Sequence, residues 1–288
     1  MDYLLNMRKP DREVQNLIIA FRGWPDAGES ATTALKYIVR DLDSEKILDI
    51  DPEDFFDFSQ QRPIVRSTES GTRNIVWPQN ELFVCETKSD GNQILAFLGT
   101  EPNLKWKTFA SIITDLCEAW GISNVIQLGA LMDAIPHTRD TRITGSSTEP
   151  NIQDILTSYQ IHRSTYQGAT GITTAISTAL NQKGIHYTSI WGHTPHYLQA
   201  APNHQISYHI VNFINRMLNL NIDLTDLRNA EEHFRSELQK VILDDDQIGE
   251  YVKNLEARYD EKLSETPLPE PSDLLSELEE YLKNRPQN

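Results

Sequence analysis

The sequence predicts an α/β protein: a three-layer α/β/α body on a mainly parallel, mixed sheet, followed by a C-terminal helical extension. First, short apolar runs such as LIIAF, ILAFLG and VIQLG show no polar alternation, which is typical of strands buried on both faces. Second, these runs alternate with amphipathic segments of helix length, and this alternation indicates βαβ units. Third, the 288 residues, 39% of them hydrophobic, suffice for one large domain with an appendage.

Taken in order along the chain, these patterns predict the strands and helices of the body. Strands are predicted at residues 17–21, 46–50, 75–77, 82–86, 94–98, 125–128, 161–166 and 187–191. Helices are predicted at residues 30–39, 105–120, 152–158, 171–183 and 203–218. The weaker runs between residues 46 and 86 are compatible with antiparallel strands at an edge of the sheet.

The pattern changes after residue 220, and we divide the chain into a body (1–220), an acidic helical arm (221–265) and a Pro-rich linker with a short terminal helix (266–288). The arm is predicted to be a long helix or helical hairpin, bent or broken near residues 244–249. The terminal helix is predicted at residues 274–282. Either the arm packs on the body or on a neighbour, or it forms a separate functional domain. The heptad-like apolar positions of the arm are Phe234, Leu238, Val241, Ile248, Val252, Leu255 and Tyr259.

The charge distribution narrows the classes of partner. The chain has 42 acidic and 26 basic residues, a net charge of −16, and residues 221–288 hold 18 of the acids against 8 bases. Nucleic acid and anionic membranes are therefore not expected as partners, because phosphate binding requires a net basic surface. The two cysteines, Cys85 and Cys117, lack metal-site spacing, so we expect buried, reduced thiols in the cytoplasm. The N-terminus has no run typical of a signal peptide.

Two polar segments that follow predicted strands carry acidic residues. In FRGWPDAGES, Asp26 and Glu29 lie where a helix begins, so they either cap that helix or contact a ligand or metal. The segment has no Walker lysine and no GxGxxG pattern, so it does not predict a nucleotide loop. In LGTEPNLKWKTF, Glu101 belongs either to an ordinary strand–helix loop or to a pocket.

The segment LGALMDAIPHTRDTRITGSS contains the richest local cluster of polar residues. Asp133, His137, Arg139 and Arg142 lie in or beside one loop. Histidine titrates near neutral pH, and arginine can hold a carboxylate or phosphate through two hydrogen bonds. The alternative is that Asp133 and the arginines form a solvated salt-bridge network.

Two further segments complete the candidate site. In YQGATGI, Gly168, Thr170 and Gly171 precede a predicted helix and are typical of an anion-binding loop. In SIWGHTPHYL, Trp191 and His193 are candidate ligand contacts, and His193 with His196 forms a pair that lines a pocket or an interface or, alternatively, binds zinc. No third ligand follows at a recognisable interval, so we predict no metal and no cofactor.

Taken together in this order, the segments resemble the proteasome assembly chaperone 2 family, and most closely its bacterial branch. The resemblance extends over roughly residues 15–220. It implies a body similar to the phosphorylase/hydrolase-like fold and assembly into homo-oligomers, a trimer among the options. Archaeal relatives that bind proteasomes tend to end in a hydrophobic–Tyr–any tail, and residues 284–288, NRPQN, depart from it. The matching stretches are GWPDAGESATTAL, QRP at residues 61–63, LGTEPNLKWKTF, LGALMDAIPHTR, YQGATGI and SIWGHTPHYL.

The resemblance implies an oligomeric factor that binds proteins during assembly and implies no particular reaction. The alternative is an enzyme or binder of a small anionic ligand, nucleoside-like or carboxylate, at the carboxyl edge of the sheet. In that alternative Arg139 and Arg142 hold the anion, and His137 or His196 transfers a proton. A third hypothesis is a metal hydrolase built on His193 and His196. The acids that would orient hydroxyl groups in the second hypothesis are Asp26, Glu29 and Glu101.

Overall fold

The structure, a computed structural model, describes residues 3–68, 71–198 and 201–264, with side chains to residue 261. Its main element is an eight-stranded sheet with the strand order β1-β3-β6-β7-β2-β8-β10-β9, and β4 and β5 form a separate hairpin. The strands are β1 (Leu4–Leu5), β2 (Asn16–Arg22), β3 (Asp43–Ile50), β4 (Ile64–Ser67), β5 (Arg73–Val76), β6 (Glu81–Glu86), β7 (Gln93–Thr100), β8 (Asn124–Asp133), β9 (Ile143–Ser147) and β10 (His186–Pro195).

The predicted mixed sheet is confirmed. Strands β7, β2, β8 and β10 are parallel to one another, and the outer strands pair antiparallel to their neighbours. Strand β2 is buried along five consecutive residues, as expected for a strand covered on both faces. The antiparallel strands expected between residues 46 and 86 are β3 and β6. Exposed residues occur in β3, which lies further from the centre of the sheet than β6.

Helices cover both faces of the sheet, which confirms three α/β/α layers. They are α1 (Ser30–Asp41), α2 (Trp106–Trp120), α3 (Pro150–Ser158), α4 (Ile172–Gln182), α5 (His204–Met217), α6 (Thr225–Asp244) and α7 (Asp246–Ser264). Helices α1 and α5 contribute to one apolar core, and α2 and α4 contribute to the other. Helix α5 packs so closely on β10 that a Cβ at Gly192 would lie 2.4 Å from Ile206 Cγ2, so only glycine fits there.

The predicted strand at residues 161–166 is wrong. The segment forms a single bridge, Thr144 to His162, and residues 162–170 are exposed. An exposed polar segment buries too little apolar surface to add a strand beyond β9. The short strands β1, β4 and β9 were not predicted, and β4 pairs with β5 rather than with the main sheet.

The arm consists of α6 and α7, and the predicted break lies at Asp245, which has an extended backbone. The Asp245 carboxylate accepts hydrogen bonds from the N–H groups of Gln247 and Ile248 and so begins α7. Val252 is buried while Val241 is exposed, so the apolar stripe does not form one continuous seam. The predicted linker and terminal helix lie outside the described residues. None of the described helices combines the length and the apolar character needed to cross a membrane.

Candidate functional site

The predicted site segments lie at one edge of the sheet. Strands β2, β7, β8 and β10 are parallel and end at Arg22, Thr100, Asp133 and Pro195. The loops after them contain four of the five segments, and the fifth leads into α4. Ligands of open α/β sheets bind at this carboxyl edge, so the fold places the candidates where a site is expected.

Asp26 caps helix α1. Its Oδ1 accepts hydrogen bonds from the backbone N–H groups of Ala31 at 2.7 Å and Thr32 at 3.2 Å, and its Oδ2 accepts from the Thr32 hydroxyl. Burial raises the pKa of the Asp26 carboxyl above its ordinary value, although the hydrogen bonds from Thr32 and Ala31 oppose that shift. Glu29, the residue before α1, has a left-handed backbone and no capping hydrogen bond from its side chain. Asp26 therefore has the capping role that was one of its two sequence interpretations.

Glu101 connects three parts of the carboxyl edge. Its Oε1 accepts a hydrogen bond from the N–H of Ile172 at 2.9 Å, at the start of α4. Its Oε2 accepts one from the N–H of Trp24 at 3.3 Å, in the loop after β2. A Cβ at Gly171 would lie 2.6 Å from Glu101 Oε1, so this glycine allows the carboxylate to approach. The carboxylate thus occupies the helix start where an anion was predicted.

The other candidates of the YQGATGI loop take no part in the hydrogen bond between Glu101 and Ile172. Gly168 and Thr170 are exposed. The Thr170 hydroxyl donates a hydrogen bond to the hydroxyl of Thr174, one turn into α4. Both residues therefore remain candidate ligand contacts that are exposed to solvent.

Asp133, His193 and Thr144 form a buried chain of hydrogen bonds across β8, β10 and β9. His193 Nδ1 lies 2.7 Å from Asp133 Oδ2, and His193 Nε2 lies 3.0 Å from Thr144 Oγ1. Burial raises the pKa of the Asp133 carboxyl, but the hydrogen bond and charge of His193, with Arg142 nearby, outweigh it and lower that pKa. This carboxylate–imidazole–hydroxyl order is that of an activated nucleophile. However, Thr144 is only 4% exposed, so the chain joins three strands rather than facing solvent.

The two other histidines of the cluster are hydrogen-bonded to tyrosine hydroxyls, His196 to one on helix α7. His196 Nε2 lies 2.7 Å from the Tyr251 hydroxyl of α7, and its Nδ1 lies 3.1 Å from the backbone oxygen of Asp133. His137 Nδ1 lies 2.6 Å from the Tyr197 hydroxyl, and burial lowers the pKa of the His137 imidazole. Both histidine side chains therefore have hydrogen-bond partners within the protein.

The two candidate arginines of this loop differ in their surroundings. Arg139 binds Asp260 of α7 through two hydrogen bonds, from Nε at 2.8 Å and from Nη2 at 2.7 Å, and lies 3.4 Å from Glu256. The hydrogen bonds that Arg139 donates to Asp260 raise the pKa of the Arg139 guanidinium. Arg142 is half-buried and its guanidinium forms no ion pair with any residue that the structure describes. Trp191, half-buried on β10, lies opposite Thr144.

The geometry around His193 and His196 does not favour a metal site. Both ring nitrogens of His193 and of His196 have hydrogen-bond partners. Within residues 3–68, 71–198 and 201–264, no group of three or more His, Cys, Asp or Glu side chains is arranged to hold a metal ion.

A cavity of about 360 Å³ lies at the ends of β2 and β7, beneath the β4–β5 hairpin. Four basic side chains line it: Arg22, Lys36, Arg62 and Arg66. The sequence analysis did not select these residues, which come from separate segments. The available signal was the QRP stretch at residues 61–63, which places Arg62 among the family-like motifs.

The comparison with family models identifies one family. A sequence model described as the PAC2 family matches residues 20–242. A comparison with curated proteins found no match.

Solved structures are similar over most of the chain. A PAC2 family protein from Streptomyces avermitilis has 28% identity and a TM-score of 0.72, over 83% of this chain and 99% of that one. A proteasome-assembly chaperone homologue from Mycobacterium tuberculosis has 27% identity and a TM-score of 0.74, over 83% and 100%. PbaB from Pyrococcus furiosus, an archaeal proteasome activator, has 16% identity and a TM-score of 0.65, over 84% and 99%, a likeness of fold alone.

Proposed function

This chain belongs to the PAC2 family, and we propose that it is an oligomeric protein-binding factor of the assembly-chaperone type. The similarity to the mycobacterial proteasome-assembly chaperone homologue supports this proposal. The partner is another protein chain, either a second copy or the component that is assembled. We place this activity in the cytoplasm, in keeping with the free, buried thiols of Cys85 and Cys117.

The observation that carries the proposal is the exposed apolar face of the β4–β5 hairpin. Val65 and Ile75 are register partners, and they are 61% and 56% exposed. A two-stranded hairpin is marginally stable alone, and this one belongs to no larger sheet. Contiguous exposed apolar surface is typical of protein–protein contacts, so we assign this face to a protein partner.

Exposed apolar side chains at the strand ends extend this surface. Trp24 follows β2, Leu104 follows β7 and Met132 lies near the end of β8, each with about half or more of its surface exposed. Aromatic residues and methionine are enriched in protein interfaces. The carboxyl edge of the sheet therefore offers apolar contacts in addition to the hairpin.

The occupation of the candidate catalytic groups favours binding over catalysis. The carboxylates of Asp26 and Glu101 accept hydrogen bonds from backbone N–H groups, and His137 and His196 are bonded to tyrosine hydroxyls. A general acid or base must reach a substrate proton. Glu101 instead holds the loop after β2 that presents Trp24.

The double variant V65S/I75S tests the proposal. We expect the oligomer measured by light scattering to dissociate, or a stoichiometric partner recovered with the wild-type protein to be lost, because apolar contact area is removed. The matched control is V241S/L243S, which removes two exposed apolar side chains from α6. A wild-type protein that is monomeric and partner-free, or a loss that is equal in both variants, would refute the proposal.

A further inference from the structure

The side chains that line the cavity beneath the β4–β5 hairpin carry a net positive charge, whereas the whole protein is negatively charged. The lining contains four basic side chains and one acidic side chain, Glu81, in a chain of net charge −16. Glu81 Oε1 lies 3.0 Å from Lys46 Nζ, so this carboxylate already has a partner. We infer that the cavity binds a small organic anion that carries at least two negative charges.

The four basic residues converge from different parts of the fold. Arg22 ends β2, Lys36 lies on α1, Arg62 precedes β4 and Arg66 lies on β4. A run of basic residues on one exposed element is usually a solvated face. Here separate segments bring cations to one concave surface, which is the arrangement expected of a binding site.

These cations lack partners within the described chain. None of the four basic side chains forms an ion pair or a hydrogen bond with any residue that the structure describes. Burial lowers the pKa of the Lys36 ammonium and the charge of Arg22 lowers it further, which outweighs the opposing charges of Glu29 and Asp26. A bound anion would relieve this repulsion, because opposite charges favour the ionised form of each group.

The two strands of the hairpin separate the cavity from the apolar surface proposed above. Successive residues of a strand point to opposite faces. Ile64, Arg66 and Val76 line the cavity, so Val65, Ile75 and Arg73 belong to the outer face. The inner face of the hairpin therefore contributes Arg66 to the cavity, whereas the outer face carries Val65 and Ile75, and each face can be tested alone.

The lining indicates the chemistry of the ligand. Guanidinium groups bind phosphate and carboxylate with paired hydrogen bonds. Trp77, whose ring centroid lies 4.8 Å from that of Phe58, and Leu98 provide an apolar wall. The volume of about 360 Å³ lies within the range of small-molecule sites, about 300–1,000 Å³. The ligand is thus a phosphate- or carboxylate-bearing small molecule with an apolar part.

Titration calorimetry on the full chain tests this inference, with pyrophosphate, ADP and citrate as probes. We expect one of these anions to bind with 1:1 stoichiometry, and R62A/R66A to weaken it roughly tenfold or more per guanidinium removed. The control is R73A, which removes the same charge from the outer face of the same hairpin and should leave the affinity unchanged. Binding of pyrophosphate and ADP assigns a phosphate ligand, whereas binding of citrate assigns a carboxylate.

A second variant keeps the test independent of the hairpin. K36Q changes a cavity-lining side chain of α1, outside the hairpin, and should also weaken binding if the anion lies in the cavity. Failure of all three probes to bind at millimolar concentration would overturn the inference. So would equal weakening by R73A, or unchanged affinity in both R62A/R66A and K36Q.

Discussion

Replacing Glu101 with alanine tests whether this carboxylate is a structural connection between loops. The substitution removes the acceptor for two backbone N–H groups, those of Ile172 and Trp24. It also removes a negative charge that accepts a hydrogen bond at the start of α4. We expect a less stable protein with an opened loop after β2.

The geometry sets the size of the effect. A hydrogen bond to a charged group contributes about 1.5–3 kcal/mol, and a negative charge at a helix start adds about 0.3–1 kcal/mol. Because Glu101 is half-buried and its contact with Trp24 is long, at 3.3 Å, we expect a loss of about 2–4 kcal/mol for E101A. E101Q keeps one acceptor oxygen, so its loss should be about 1 kcal/mol. For a domain of this size, E101A should lower the Tm by roughly 5–12 °C.

Chemical denaturation and hydrogen exchange of residues 22–29 are the assays. The matched control is E149A, because Glu149 Oε2 also accepts a hydrogen bond from a helix start, the N–H of Ile152 at 2.6 Å, but joins no second loop. We expect E149A to cost about 1 kcal/mol and to leave exchange at residues 22–29 unchanged. Wild-type stability in E101A, or equal exchange in both variants, would refute the connecting role of Glu101.

Two further predictions concern the arm and three histidines whose pKa values are lowered by burial. R139A removes the bidentate contact with α7, so amide exchange in residues 246–261 should become faster. The control K183A removes a surface ion pair elsewhere and should leave this exchange unchanged. Equal exchange rates in the two variants would contradict the prediction. Burial lowers the pKa of His209 below 6.5, as it does for His137 and His204. Below that pH the unfolded chain binds more protons than the folded one, so stability falls as the pH drops from about 7.5 to about 5.5. H209Q should reduce this loss in denaturant titrations at the two pH values, and an unchanged loss would show that His209 does not contribute.

The fold was predictable where burial dominates the local pattern. The strand around Ile18 is apolar without interruption because helices cover both of its faces. The strand predicted at residues 161–166 failed because Ile161 is buried by side-chain packing while the residues after it are exposed. Apolar character alone does not distinguish a buried residue in a loop from a strand residue.

The site was predictable at the level of loops but not of contacts. Strand ends could be located from the sequence, and parallel strands bring their ends to one edge. The partner of Arg139 could not be found in this way, because Asp260 lies 121 residues further along the chain. The cationic cavity was missed for the same reason, since Arg22 and Arg66 meet only after the hairpin has formed.

The carboxyl edge of the sheet divides into two halves with different electrostatics. Over β8 and β10, the chain supplies its own counter-charges, because Glu256 and Asp260 of the acidic arm bind Arg139. Over β2 and β7, Arg22 and Lys36 form no ion pair with any residue that the structure describes. Unpaired like charges in a concave site destabilise the folded protein, and a bound anion would offset that cost. The half of the edge whose basic residues the sequence analysis did not select is therefore the half where an anion gains most.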